Sequence, residues 1–201
     1  MHTLVAVLIL VMSVTLAHAQ SATAPTWSVG DTWKRSNGTV VIVVKADESG
    51  YALKGNRGDC PACLTHLDKN LTPMSITDAD GKPIDATQLA GVSVGPNWRF
   101  LEWPLEVKKT WTLSGARIWK GTPQTVTTDV AVKSFEDVKT KAGTFKAYRM
   151  EYSFTARSAG VDRSGSWSIT SWYSPDVKNV VKQTSNSPGF RDWELESYSL
   201  K

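Results

Sequence analysis

Residues 147–155, AYRMEYSFT, alternate between apolar and polar side chains. The apolar positions are Tyr148, Met150, Tyr152 and Phe154, and the polar positions are Arg149, Glu151, Ser153 and Thr155. Successive side chains of a strand point to opposite faces of its sheet, so this pattern predicts an antiparallel strand with one buried face. A chain organised around such a strand has to bury its apolar surface in a sheet.

Other segments carry strand signals, and turn-forming residues separate them at short intervals. These segments are 39–45, 126–135, 166–173, 179–184 and 191–200. Residues 39–45 are almost continuously apolar, which predicts a strand buried on both faces. No segment beyond the N-terminal run repeats its apolar residues with a helical period. The sequence therefore predicts a mainly β protein: an antiparallel meander forming a curved sheet, half-barrel or sandwich, with an irregular middle segment over 72–98.

The first residues form an apolar run that ends in Ala17-His18-Ala19. A small-x-small triplet after a short apolar core is typical of a cleaved secretory signal. We expect residues 1–19 to be that signal peptide and 20–201 to be one β-rich domain, with halves 26–97 and 98–201 as an alternative division. The run is shorter than the ~20 apolar residues that span a bilayer, and no second run follows. We expect a periplasmic or secreted protein with no membrane-spanning segment after signal removal.

The formal net charge of +4 belongs to the part beyond this leader, because the leader contains no Lys, Arg, Asp or Glu. These charges are interspersed along the chain. A nucleic-acid-binding protein concentrates its Lys and Arg on one face, so the charge pattern and the expected export both argue against nucleic acid as a partner.

Cys60, Cys63 and His66 make a C-x-x-C-x-x-H motif that contains both cysteines of the chain. Export exposes thiols to oxidation, and the preceding Gly58 and Asp59 favour a turn, so we expect a disulfide between Cys60 and Cys63. The alternative is a metal- or thiol-dependent protein in which Cys60, Cys63 and His66 act together. A structural zinc needs four ligands, and no further Cys or His exists beyond residue 20, so the fourth would have to be Asp59, Asp68 or water. Three protein ligands and a water are also the pattern of a catalytic zinc.

A credible catalytic set is missing from the sequence. No G-x-S-x-G nucleophile motif and no phosphate-binding glycine loop occurs, and His66 is the sole histidine beyond the leader. We expect a protein that is not an enzyme and that needs no cofactor.

Nine tryptophans are a high number for a chain of this length. Core packing is the simpler explanation for most of them, because each indole buries a large area and needs one partner for its N–H group. The functional alternative is an aromatic platform for a sugar or an apolar ligand. If such a ligand exists, the residues that we expect to bind it are Trp167, Trp172, Tyr173 and Trp193.

Three motifs, taken together and in order, resemble a family of exported bacterial proteins and lipoproteins of unknown function. They are WPLEVKKTW at 103–111, VKTKAGTFKAYRMEY at 138–152 and WYSPDVKNVVKQ at 172–183. The family elements that they match are Pro-Leu-x-Val-Gly-x-x-Trp, Val-x-x-x-Ala-Gly-Thr-Phe and Trp-Tyr-x-Pro-x-Val followed by Val-Val-Lys. The resemblance implies a curved antiparallel β domain in the cell envelope, and it implies no catalytic residues. Lys108 departs from the family pattern, which has glycine there and a tight turn.

Two local features of the sequence also concern turns. Gly143 is expected to supply a positive φ at a hairpin turn. The segments 28–33 and 106–111 share Val-x-x-Thr-Trp, a match short enough to arise by chance.

The leading hypothesis is therefore a non-enzymatic β-rich protein of the periplasm or exterior that binds an apolar small molecule or a cell-envelope component. The first alternative is the metal- or thiol-dependent protein described above. The second alternative is a small outer-membrane barrel whose tryptophans form interfacial girdles.

Overall fold

The computed structural model of the chain describes residues 21–55, 60, 62–85, 95–119, 122–158, 164–187 and 191–201. The expected signal peptide, 1–19, lies outside these residues. The described residues form strands and turns and contain no helix. None of them therefore belongs to a helix that could cross a membrane.

Thirteen strands follow one another in the part of the chain that the structure describes. The first half contains β1 (Ser21–Ala22), β2 (Thr32–Arg35), β3 (Val40–Asp47), β4 (Gly50–Gly55), β5 (Leu64–Leu67) and β6 (Pro73–Thr77). The second half contains β7 (Leu105–Glu106), β8 (Thr110–Trp119), β9 (Thr122–Thr140), β10 (Gly143–Ser158), β11 (Ser164–Ser174), β12 (Asn179–Ser185) and β13 (Trp193–Ser199).

Eleven of the strands form one antiparallel sheet in the order β6-β5-β4-β3-β2-β13-β12-β11-β10-β9-β8. Strands that are adjacent in the sheet are also consecutive in sequence, with one exception: β13, near the end of the chain, pairs with β2, near its beginning. The sheet is open among the described residues, with β6 and β8 as its two edges. The prediction of a mainly β antiparallel meander is confirmed. The short strands β1 and β7 form a separate pair.

Strand β10 has the alternating burial that its sequence predicts. Tyr148 and Met150 are fully buried, and Tyr152 and Phe154 are 5% and 7% exposed. Along both sides β10 pairs antiparallel with long neighbours, β9 and β11. The four apolar side chains therefore form a row across the middle of one face of the sheet.

A first core lies on that face. Segment 95–104 packs over it, and Trp98, Phe100, Leu101 and Trp103 contribute their rings and side chains. The other members come mostly from strands β8–β11: Ala22, Leu105, Trp111, Leu113, Val126, Val130, Val132, Tyr148, Met150, Tyr152, Phe154, Ala156, Ile169 and Tyr173. The expected irregular segment, 72–98, thus contains strand β6 and the start of this covering segment, whereas 86–94 lie outside the described residues.

A second core joins β2–β5 to the tip of the β9–β10 hairpin. Its buried members are Trp27, Trp33, Val43, Tyr51, Leu67, Val138, Ala147, Val177, Val181 and Leu195. Ala147 and Tyr148 are neighbours in sequence and both are fully buried, but they belong to different cores. Because adjacent side chains of a strand point to opposite faces, β10 is buried on both faces near its turn.

The prediction that residues 39–45 form a strand buried on both faces is half wrong. They do lie in and beside strand β3, and Val43 is fully buried. Its neighbour Val44, however, is 38% exposed. The reason is that Val43 packs in the second core, whereas Val44 lies at a bulge, where the register between β3 and β4 shifts, and is not part of that core.

Two turns of the molecule share one hydrogen-bond pattern. In the first, Asp31 N donates to Ser28 O, Gly30 N donates to Val43 O, and Val43 N donates to Asp31 O. In the second, Lys109, Glu106, Lys108 and Val132 make the same three bonds in the same roles. Each is a tight turn followed by a bulge in which two residues oppose one. The shared Val-x-x-Thr-Trp sequence therefore codes for the same local structure twice.

Candidate functional site

Five tryptophans are buried in the two cores or beside them: Trp27, Trp33, Trp98, Trp111 and Trp193. Three of these donate their indole N–H to backbone carbonyls, from Trp27 to Lys178 (2.9 Å), from Trp33 to Val177 (2.9 Å) and from Trp111 to Arg99 (3.0 Å). A buried indole with its N–H satisfied by backbone stabilises the fold and is closed to a ligand. Most of the tryptophan excess thus serves packing.

The four residues expected to bind a ligand are not brought together. Tyr173 is 1% exposed, and burial raises the pKa of its hydroxyl. Trp167 is half-buried on the same face and stacks on Phe154 with ring centroids 4.9 Å apart. Trp172 precedes Tyr173 by one strand position and therefore points to the opposite face of the sheet. Trp193 is buried under Arg35, whose guanidinium carbon lies 4.0 Å from its ring centroid.

The apolar face of the second half is filled by the protein's own covering segment. Trp103 packs edge-on against Tyr173, with centroids 5.1 Å apart. Tyr152 donates its hydroxyl to Phe100 O at 2.8 Å, and burial raises the pKa of that hydroxyl. An apolar ligand would have to displace these contacts, so the structure gives this face no role in binding one.

Trp172 lies in a different environment: its half-buried ring packs against the second core, on the face of the sheet opposite Tyr173. Its indole N–H donates to Glu136 Oε1 at 2.8 Å, and Ser134 Oγ donates to Glu136 Oε2 at 2.6 Å. These two hydrogen bonds, first that of Ser134 and then that of Trp172, lower the pKa of Glu136, so the carboxylate is held charged. The ammonium group of Lys182 lies 5.6 Å from the Trp172 ring centroid.

Next to this pair lies a row of charges on the same face. Arg149, which is opposite Trp172 in the β10–β11 register, donates to Glu151 Oε1 at 2.6 Å. Lys133 Nζ lies 3.5 Å from Glu151 Oε2. A bulge in β9 brings Lys133 into this row, because the register shifts there between the pairs of Arg149 and Met150. Bulges re-aim side chains in this way and are frequent beside functional sites.

A groove of about 270 Å³ opens beside the charge row. Its polar lining comes from three neighbouring strands and consists of Thr110, Thr112, Asp129, Lys133, Glu151 and Ser153. Thr112 Oγ1 donates to Asp129 Oδ1 at 2.8 Å. We call the groove, together with Ser134, Glu136, Arg149, Trp172 and Lys182, the polar face.

The sequence pointed to part of the polar face. Trp172 was among the predicted ligand residues, and the alternation of β10 placed Arg149, Glu151 and Ser153 on the polar side. Glu136 and Ser134 carried no signal, since their meeting with Trp172 depends on the pairing of β9 with β10 and of β10 with β11. A carboxylate 36 residues away in sequence is not visible as the partner of an indole.

Cys60 and Cys63 form a disulfide with Cα atoms 5.4 Å apart. His66 Nε2 lies 3.0 Å from Thr77 Oγ1, within hydrogen-bonding distance. Among the residues that the structure describes, no three His, Cys, Asp or Glu side chains are grouped as metal ligands. These observations do not favour the metal or thiol alternative for this motif, and the open sheet does not favour the outer-membrane barrel.

No model of a known protein family matches the sequence, and no curated protein matches it. Similar solved structures include a candidate lipoprotein from Parabacteroides distasonis, 14% identical with a TM-score of 0.47, covering 90% of this chain and 100% of that one. A candidate exported protein from Bacteroides fragilis with a YmcC-like fold is 13% identical, with a TM-score of 0.40 over 89% and 99% of the two chains. The hypothetical lipoprotein YmcC from Escherichia coli is 10% identical, with a TM-score of 0.43 over 90% of each chain. At these values the likeness is remote.

Proposed function

We propose that this is a non-enzymatic exported protein that binds a carbohydrate component of the cell envelope on its polar face. The observation that carries the proposal is the half-buried indole of Trp172 beside carboxylates, cations and hydroxyls on an open sheet surface. A sugar ring offers C–H groups to an aromatic face and hydroxyl groups to charged acceptors and donors. Both kinds of partner occur on the polar face.

The polar face suits this ligand better than an apolar small molecule. The groove carries a carboxylate at Asp129, a second at Glu151 and a cation at Lys133, together with the hydroxyls of two threonines and a serine. Removing such groups from water is unfavourable unless the ligand hydrogen-bonds to them. A hydroxyl-rich ligand meets that condition, whereas a lipid or an aromatic metabolite does not.

The charges on the polar face also favour a neutral ligand over a strongly anionic one. Arg149 and Lys133 both contact Glu151. Lys182 lies near the Trp172 ring, and the indole N–H of Trp172 donates a hydrogen bond to the Glu136 carboxylate. Cations that are already paired with carboxylates offer little net attraction to an anion. The export signal expected at residues 1–19 would place the protein where envelope glycans occur.

The test is isothermal titration calorimetry of the mature chain with soluble oligosaccharides of N-acetylglucosamine and, separately, of glucose. At least one series should bind, and Trp172→Leu should weaken its affinity by about tenfold or more, equivalent to about 1.4 kcal/mol. Ser153→Lys should act in the same direction, because it places a long cation in the groove. Ser153 is exposed, so that variant is expected to fold normally.

The matched control is Trp167→Leu, which removes another half-buried tryptophan from the same strand but from the opposite face. It should keep the wild-type affinity even if its melting temperature falls. Equal losses in Trp172→Leu and Trp167→Leu, or no binding of either sugar series by the folded wild-type protein, would refute the proposal.

A further inference from the structure

The two edge strands of the eleven-stranded sheet, β6 and β8, differ in how well they are protected from pairing with another strand. Edge strand β6 begins at a proline, Pro73. It is also covered, because Thr77 makes an isolated bridge with Pro83, and Ile84 N donates to Ile76 O at 2.9 Å. Short length, proline and a covering segment are the usual means of keeping an edge from pairing with another chain. β6 has all three.

Edge strand β8 has none of them. It is ten residues long, contains no proline, and its pairing with β9 continues without a register shift from Thr110 to Trp119. Among the described residues its other side has no strand partner. The sequence from Thr110 to Ala116 contains no ionisable residue. The one ionisable residue of β8, Arg117, follows this segment. A long, regular edge with seven consecutive uncharged residues is a template for a further strand.

The hydrogen bonds at the start of β8 fix which of its groups point away from β9. Val132 N donates to Lys109 O, so Lys109 and Val132 form a hydrogen-bonded pair of the β8–β9 ladder. Hydrogen-bonded and non-hydrogen-bonded pairs alternate along an antiparallel ladder. Thr110, opposite Ala131, and Thr112, opposite Asp129, therefore belong to non-hydrogen-bonded pairs. The backbone N–H and C=O groups of Thr110, Thr112, Ser114 and Ala116 therefore point to the open side.

We infer that β8 pairs antiparallel with β8 of a second copy of this chain. The strand is complementary to itself in such an arrangement. With a two-fold axis at Ser114, this residue faces its own copy and Thr112 faces Ala116. All three side chains are small, exposed and uncharged, so the central pairs of the contact bring no like charges and no bulky groups together. A closed two-fold contact of this kind is the commonest form of homodimer.

Such a dimer has a consequence for the polar face. Thr110 and Thr112 line the groove and belong to β8 itself. Pairing two β8 strands would continue the sheet from one copy into the other and place the two grooves on one surface. Their β9 strands would be three strand spacings apart, about 14 Å. Two grooves at that separation fit a polymeric ligand better than a single small molecule.

The test is sedimentation velocity of the mature protein between about 1 and 200 µM, because a contact made by one strand pair is small and a micromolar dissociation constant is expected. The wild type should change from monomer to dimer over this range. Ser114→Lys should remain monomeric, since it brings two cations together at the axis. Ser114→Pro should also remain monomeric, because it removes an outward N–H without removing a bond to β9.

Charge reversal separates this contact from a general loss of structure. An equimolar mixture of Ser114→Lys and Ser114→Glu proteins should regain the dimer, with both variants present in it. Ser75→Lys on the other edge strand, also at an exposed serine, should dimerise as the wild type does. A wild type that stays monomeric throughout the range, or a dimer that survives Ser114→Lys, would overturn the inference, and sugar binding by that monomer would leave the proposed function standing.

Discussion

Gly30 and Lys108 occupy the same position of two matching turns, with φ angles of 95° and 77°. The residue at this place must be in the left-handed region, which glycine adopts readily and other residues do not. Lys108 therefore makes the same tight turn as Gly30. It does so in a backbone conformation that is unfavourable for lysine.

Replacing Lys108 by glycine should stabilise the protein. Relief of the left-handed conformation is worth about 1–2 kcal/mol, and the extra chain entropy of glycine offsets about 0.5–1 kcal/mol. We expect the melting temperature of Lys108→Gly to rise by about 1–4 °C, measured by calorimetry.

Lys109→Gly is the control for that substitution. Lys109 is not among the residues with positive φ, and its Nζ donates to the carbonyls of Glu102 and Pro104 at 2.8 and 2.9 Å. Its replacement should lower the melting temperature. A fall for Lys108→Gly of the same size would show that the left-handed conformation at 108 carries no strain.

Gly115 of β8 should not tolerate a methyl group. An added Cβ would lie 2.6 Å from two ring carbons of Trp98, which is buried in the first core. Shifting a packed indole costs about 1–3 kcal/mol, so Gly115→Ala should lower the melting temperature by about 2–12 °C. Gly165→Ala on β11 is the matched control, because nothing lies within 4 Å of its added Cβ. If both variants melt alike, Trp98 does not pack on Gly115.

Gly143 closes the β9–β10 hairpin with a φ of 136°, so the positive φ expected there is present. A β-branched residue is strained in this region, at a cost of about 1–3 kcal/mol. Gly143→Val should therefore lower the melting temperature by several degrees, whereas Thr144→Val at the next, exposed position should change it little. Equal melting curves for Gly143→Val and the wild type would contradict the turn.

The disulfide between Cys60 and Cys63 should fix one loop without holding the fold together. Its ring is short, and the entropy model gives less than the ~3 kcal/mol calculated for a 15-residue loop. Intact-mass measurement with and without reductant should show one disulfide in the exported protein. The double variant Cys60→Ser, Cys63→Ser should remain folded. Free thiols with one bound zinc per chain would contradict this account.

The fold could be predicted from the sequence where the signal is local. The alternation of Tyr148, Met150 and Tyr152 sets both the strand and its buried face, and Gly143 marks the turn before it. The pairing of β2 with β13 could not be predicted, because the two strands lie at opposite ends of the chain and no sequence feature of either one indicates its partner.

The candidate site could be predicted only in part, for a related reason. Trp172 and Tyr173 looked equivalent in the sequence, yet adjacent strand residues face opposite sides, and only Trp172 reaches the polar face. The bulge at Lys133 adds this residue to the charge row, but no feature of the surrounding sequence marks the position of the bulge. Segment 95–104 covers the face of the sheet that carries Tyr173. Its position depends on tertiary packing, so the sequence did not show which of the two faces would be covered.

The indole N–H resonances of the tryptophans test the central claim most directly. In a proton–nitrogen correlation spectrum titrated with an N-acetylglucosamine or glucose oligosaccharide, the Trp172 indole signal should move with the added sugar. The indole signals of Trp33 and Trp167 should stay in place. Movement of the Trp167 signal with a stationary Trp172 signal, or no movement of any indole signal at millimolar sugar, would contradict binding on the polar face.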